Sequence, residues 1–123
     1  MKAIIAALVL LAPGLATADK SLDKDGVWDC AKDPVVVIAN GDGAYTFKGT
    51  CKKIVVAGGE NKLTVESVDI LEVAGAENKI DVNTVGTIIV GGADNKITWK
   101  KAATGTSPKI KGQPDKNKIS QVK

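Results

Sequence analysis

Residues 53–102 read KIVVAGGENKLTVESVD (53–69), ILEVAGAENKIDVNTVG (70–86) and TIIVGGADNKITWKKA (87–102). One pattern is written three times. The Asn-Lys pairs Asn61-Lys62, Asn78-Lys79 and Asn95-Lys96 are spaced 17 and 17. Ahead of them, Ile54, Leu71 and Ile88 align, as do Val56, Val73 and Val90, then Gly58, Gly75 and Gly92. Behind them come Leu63, Ile80 and Ile97, then Val65, Val82 and Trp99, then Val68, Val85 and Ala102. Self-similarity at a fixed short period marks a repeat architecture and outranks local propensity.

Within each copy the apolar residues alternate, which marks strands buried on one face. Gly58-x-x-Asn61 and its equivalents, Gly75 with Asn78 and Gly92 with Asn95, separate two short strands. Glycine accepts positive φ and asparagine is the next most tolerant type, so these are the expected structural turns. A 17-residue unit of short strands cannot bury its own apolar face, whereas stacked units can. Each inward column then meets its like about 4.8 Å away in the next coil. The expected fold is all-β, a short-coil β-solenoid or β-helix-like stack with aliphatic ladders and asparagines bonding side chain to side chain. An antiparallel β-meander or sandwich with Gly-containing hairpins is the competing fold. The invariant spacing favours the stack, because only there does each turn residue gain from its neighbours.

Residues 1–18 have the layout of a secretory signal peptide, with Lys2, an apolar run at 4–11 and Ala16-Thr17-Ala18 as the cleavage site. The run is too short to span a bilayer, so no transmembrane anchor is expected in the mature chain. The expected product is residues 19–123, secreted or periplasmic. Without Lys2 it holds 16 lysines against 14 acids, too mild a balance to argue for nucleic acid. Residues 19–29 read as a polar leader in which Trp28 covers the first coil. Residues 30–123 form the single repeat domain. In it, 30–52 is an irregular first coil, 53–102 the regular repeats and 103–123 a degenerate C-terminal cap. Placing Gly43 where Asn61 stands puts Val36, Ile38, Tyr45 and Phe47 on the apolar columns, at an offset of 18. The cap carries Ile110, Gly112, Asn117-Lys118 and Ile119.

Cys30 and Cys51 are the only cysteines. An even pair in a chain bound for an oxidising compartment reads as a disulfide. Cys-x-x-Cys spacing is absent, and so is the histidine that a zinc site would use.

The signal peptide, Cys30, Gly49-Thr50-Cys51, the repeated Val-x-Gly-x-x-Asn-x-aliphatic units and the late Pro108-x-Ile110 resemble an uncharacterised family of secreted bacterial proteins, domain of unknown function 3060. The resemblance runs over about residues 28–122. It implies a small secreted or envelope-associated β-repeat module and brings no established activity.

The chain has no histidine and no arginine, which removes His-based triads and arginine clamps. Ser21, Ser67, Ser107 and Ser120 lie outside any Gly-x-Ser-x-Gly motif. Glu60, Glu77 and Asp94, each beside a lysine, read as a solvated turn edge that could in principle hold calcium. Asp69, Glu72, Asp81 and Asp94 are outward carboxylates of the kind a carbohydrate-active enzyme would pair. Thr64, Asp81 and Thr98 form a row too irregular for ice binding. The expected function is therefore non-enzymatic, without cofactor: a structural or protein-interaction module with a cell-envelope partner or end-to-end self-association. The alternative is a ligand-binding module for calcium or polysaccharide.

Overall fold

A computed structural model describes residues 19–22 and 26–122; the expected signal peptide lies outside them. Among the described residues nine strands run in order: β1 (Asp19–Leu22), β2 (Gly26–Asp29), β3 (Val35–Ile38), β4 (Ala44–Val56), β5 (Lys62–Val73), β6 (Lys79–Val90), β7 (Lys96–Ala102), β8 (Lys109–Gly112) and β9 (Lys118–Gln121). All pairings are parallel, in the order β9-β7-β6-β5-β4-β3-β1, with β2 on β4 and β8 on β6. A meander would pair its strands antiparallel, so the fold is the β-solenoid.

The register follows the repeat. Leu63 pairs with Ile80 and Val73 with Val90, and Ile80 pairs with Ile97, each 17 residues on. Each long strand bends twice, because the β5–β6 ladder is interrupted at Glu66 and again at Asp69. Between those bends the inward positions are Leu63 and Val65, then Val68, then Leu71 and Val73, all essentially without solvent contact. The resulting interior is a bundle of columns. Tyr45, Leu63, Ile80 and Ile97 form one, which the partly buried Ile119 continues; Val36, Ile54, Leu71 and Ile88 form another, which ends at the exposed Ile110. β-branched and leucine side chains suit this narrow space, since each meets its own shape one strand spacing away.

The irregular first coil is where the spacing of 18 indicated. Phe47 pairs with Val65 at that offset, but Thr50 pairs with Ser67 at 17. The extra residue is therefore a bulge at Lys48-Gly49. Gly49 takes φ +79, and its N–H donates to Glu66 Oε1 at 2.7 Å. A left-handed residue there is what glycine permits and a β-carbon resists. In the C-terminal cap the offset grows to 22, from Asn95 to Asn117, and the added residues form the corner at 103–108.

Two expectations need correcting. Residues 19–29, read as a leader, carry two strands: β1 pairs with β3 and β2 with β4, which adds coil structure above the first repeat. Trp28 packs half-buried against the core, with its Nε1 donating to the Asp33 carbonyl at 3.2 Å. The second correction concerns the turns. Positive φ belongs to Asp42 (60°), Glu60 (59°), Glu77 (59°) and Asp94 (61°), not to Gly58 or Asn61. Glycine stands at 58, 75 and 92 for another reason. A β-carbon there would collide with the carbonyl oxygens of Asn40, Gly58 and Gly75 in the preceding coil.

Cys30 and Cys51 are bonded as expected, with Cα atoms 4.9 Å apart and both side chains buried. The bridge closes a loop of 21 residues across the irregular coil. Loop-closure entropy assigns it about 3 kcal/mol. The Cys30→Ala/Cys51→Ala variant is therefore expected to melt about 10 °C or more below the oxidised protein. Reduction of the wild type should reproduce the shift in a calorimetric scan.

Candidate interaction faces

The buried polar feature is an asparagine ladder. Asn61, Asn78 and Asn95 are each only 1% exposed. Asn78 Oδ1 accepts the Asn61 backbone N–H at 2.9 Å. Its Nδ2 donates to Asn95 Oδ1 at 2.9 Å and to the Gly58 carbonyl at 3.0 Å. Asn95 repeats this toward Asn117 Oδ1 (2.8 Å) and the Gly75 carbonyl (3.0 Å). Gly43 ends the ladder by donating its N–H to Asn61 Oδ1 at 3.0 Å. Asn117 ends it below, with Nδ2 on the Gly92 and Gln113 carbonyls. Among the described residues no buried side-chain polar atom lacks a partner. The ladder is structural: all its hydrogen-bonding capacity turns inward.

The residues before Asn61, Asn78 and Asn95 take the strain, as does Asp42 before Gly43 in the first coil. Asp42, Glu60, Glu77 and Asp94 adopt the left-handed conformation, and the N–H groups of the first three donate to the carbonyls of Gly59, Ala76 and Ala93. Such a conformation costs a non-glycine residue of order 1 kcal/mol or more. It aims the asparagine into the core and the carboxylate outward. These acids form the expected exposed edge. Glu60 is held above its usual pKa, first by a hydrogen bond with Asp42, then by repulsion from Asp42 and Glu77.

For an acid whose folded pKa is raised, the associated stability is present below the ordinary value, 4.5, and is lost as pH climbs through the folded value. Glu60→Gln is thus expected to raise the melting temperature slightly at pH 7 and to leave it unchanged at pH 3.5. A scan at both pH values reads the difference. The edge does not gather into a metal site: among the described residues no three acidic or cysteine side chains come together in metal-binding geometry.

The outward carboxylates proposed as a catalytic pair fall in separate columns. Glu72 lies beside Val55 and Ile89 and pairs with Lys53 Nζ at 3.5 Å. Asp81 lies between Thr64 and Thr98 and accepts the Thr98 hydroxyl. Asp69 sits at a bend, and Asp94 belongs to the turn edge.

One feature surfaced only with the register. Lys62, Lys79, Lys96 and Lys118 stand in a single exposed column on the outer face of β5, β6, β7 and β9. Beside it runs a column of Thr46, Thr64, Asp81, Thr98 and Ser120. A depression of about 460 Å³ opens there, lined by Lys79, Lys96, Lys100, Thr64, Asp81 and Thr98 among others. The signal was present in the sequence as lysine following every ladder asparagine, Asn117 included. Lys62, Lys79 and Lys96 read there only as neighbours of the acids on a solvated turn edge.

Among the described residues no helix is long and apolar enough to cross a membrane. No curated protein and no solved structure matches the chain. A family model does match, over residues 39–80 and again over 70–113. The second segment begins inside the first, as expected when one stretch of a repeat can be laid on the next. With its fold, its repeat and more than half its length accounted for, the chain belongs to the family described as "Protein of unknown function (DUF3060)".

Proposed function

We propose that this chain is exported and serves, without catalysis, as a rigid structural or interaction module of the cell envelope or the extracellular space. The observation that carries the reading is the division of labour between its faces. The interior is consumed by apolar columns and a fully bonded asparagine ladder. Chemically variable positions all point outward, in straight columns fixed by strand pairing. Such a body holds side chains at fixed intervals for an extended partner. The N-terminal 18 residues and the Cys30–Cys51 disulfide support export. Cell fractionation with N-terminal sequencing tests this. Extracytoplasmic protein beginning at Asp19 and lacking free thiols is expected; a cytoplasmic, reduced, full-length chain would sink it.

Calcium is the competing ligand, through the acidic edge. Melting with calcium and with EDTA is expected to give one temperature, since the edge carboxylates do not converge on a common point. A rise of several degrees with calcium would replace the present reading. At the C-terminal end of the stack, Lys109, Lys111 and Lys118 lie on the exposed strands β8 and β9. Lysines on an open strand disfavour edge-to-edge pairing. Sedimentation is therefore expected to show a monomer independent of concentration.

A further inference from the structure

We propose that the face built on Lys62, Lys79, Lys96 and Lys118 binds a linear, carboxylate-bearing polysaccharide lying along the stack axis. This deepens the interaction-module reading and rests on it.

Backbone pairing, not loop conformation, sets the four lysines in line. Adjacent strands lie about 4.8 Å apart, so four ammonium groups are anchored over roughly 14 Å. All four are exposed, and among the described residues no carboxylate lies within 4.0 Å of any of them. Like charges directly opposite on neighbouring strands are destabilising. The fold receives nothing in return, because it depends on the inward positions. The lysine also survives in the last coil, where Gly112 has replaced the valine of its column. A ligand with negative charges at a similar interval would relieve the repulsion along the whole column. An acidic polysaccharide has that form, with one carboxylate on each ring and a ring about as long as one coil step.

The surroundings narrow the class. On one side of the lysines runs the turn edge with Glu60, Glu77 and Asp94, which repels a polyanion. On the other side is the column of Thr64, Asp81 and Thr98, which with Asn83 lines the depression that Lys79, Lys96 and Lys100 border; Asp81 is the one carboxylate in that lining and accepts the Thr98 hydroxyl. A chain held by the lysines therefore passes over the Thr64 and Thr98 hydroxyls, the Asn83 amide and the Asp81 carboxylate, groups that suit sugar hydroxyls, while its own carboxylates are matched to the lysine column. No aromatic residue lines the depression, so the base stacking used for single-stranded nucleic acid is not offered. The chain has no arginine, so the two-pronged recognition of phosphate is also missing.

The test is titration calorimetry of the exported, oxidised chain with an oligogalacturonate at low and at physiological salt. Binding that weakens with salt is expected. Lys79→Gln/Lys96→Gln should weaken it by about tenfold or more, since two of the four ion pairs are lost. Lys109→Gln/Lys111→Gln removes the same charge from a different face and should leave it nearly unchanged. Melting curves verify that each variant folds, and Lys62→Gln/Lys118→Gln provides a second face variant. Absence of binding at low salt overturns the proposal. So does an equal loss in the control pair, or tighter binding to polyphosphate or to phosphatidylglycerol vesicles. An exported, inert protein that ignores the uronate would sink only this inference. A cytoplasmic protein would sink the functional reading, whatever it binds in vitro.

Discussion

Asn78→Asp is expected to unfold the domain at neutral pH, although it exchanges one atom and almost no volume. Asn78 Nδ2 currently satisfies two buried acceptors, Asn95 Oδ1 and the Gly58 carbonyl. An aspartate oxygen in its place faces both lone pairs with a negative charge and no proton. Each orphaned buried acceptor costs about 1–3 kcal/mol, and an uncompensated buried charge adds several more. The total, at least about 5 kcal/mol, is comparable with the whole stability of a domain this size. Acid should restore part of the structure, because a protonated carboxyl regains one donor and burial raises its pKa. Asn83→Asp, on the exposed face, is the control and should melt like the wild type. Circular dichroism at pH 7 and pH 4 separates these outcomes. A folded, pH-insensitive Asn78→Asp protein would mean the ladder is dispensable.

Gly75→Ala should be nearly as damaging, and Gly91→Ala harmless. The added methyl at 75 would meet the Gly58 carbonyl oxygen and carbon of the coil above. Those atoms belong to a backbone held on both sides by strand pairing, so the coils must separate or the turn must deform. Overpacking of this kind costs about 3 kcal/mol or more. At Gly91 a β-carbon meets nothing within 4 Å, and the corresponding residues of the other coils, Ala57 and Ala74, already carry one. Losing a glycine there should stabilise by about 0.5 kcal/mol through the unfolded chain. Urea unfolding of the two variants is the measurement. Similar midpoints would remove the close-approach explanation for Gly58, Gly75 and Gly92.

Both expectations depend on a distinction the residue types alone did not draw. Gly and Asn were legible as turn residues and the asparagine side-chain ladder was expected, but the left-handed backbone was assigned to the wrong positions. Left-handed backbone was expected at Gly58 and Asn61, because those types tolerate it best in isolation. In the stack it falls on Glu60 and its equivalents, because the asparagine is needed inside, pointing along the ladder. Local preference yielded to the hydrogen bonds of neighbouring coils. The 19–29 segment was misread for a similar cause. Outside the period it shows no alternation strong enough to mark a strand, and its pairing with β3 and β4 is supplied by edges already formed.

The candidate site divides in the same way. The acidic edge could be seen in the sequence because its members precede each asparagine at a constant interval. Lys100 and Asn83 could not be placed beside Lys79 and Lys96, since they join that depression only through the bends and the register.

The sequence by itself determined the period, five of the inward columns and the cysteine pair, and it favoured a stack over an antiparallel meander. An interval of 17 with like residue over like residue rewards the coil, where each residue gains from its neighbours, and the parallel pairing of the strands decided for it. What the tertiary structure alone decided is which atoms meet between coils: why glycine is obligatory at 75, where the strained residue sits, and which exposed columns lie side by side. Those are distances across chain segments 17 to 22 residues apart, set by strand spacing and bends, and no local preference of a residue encodes them.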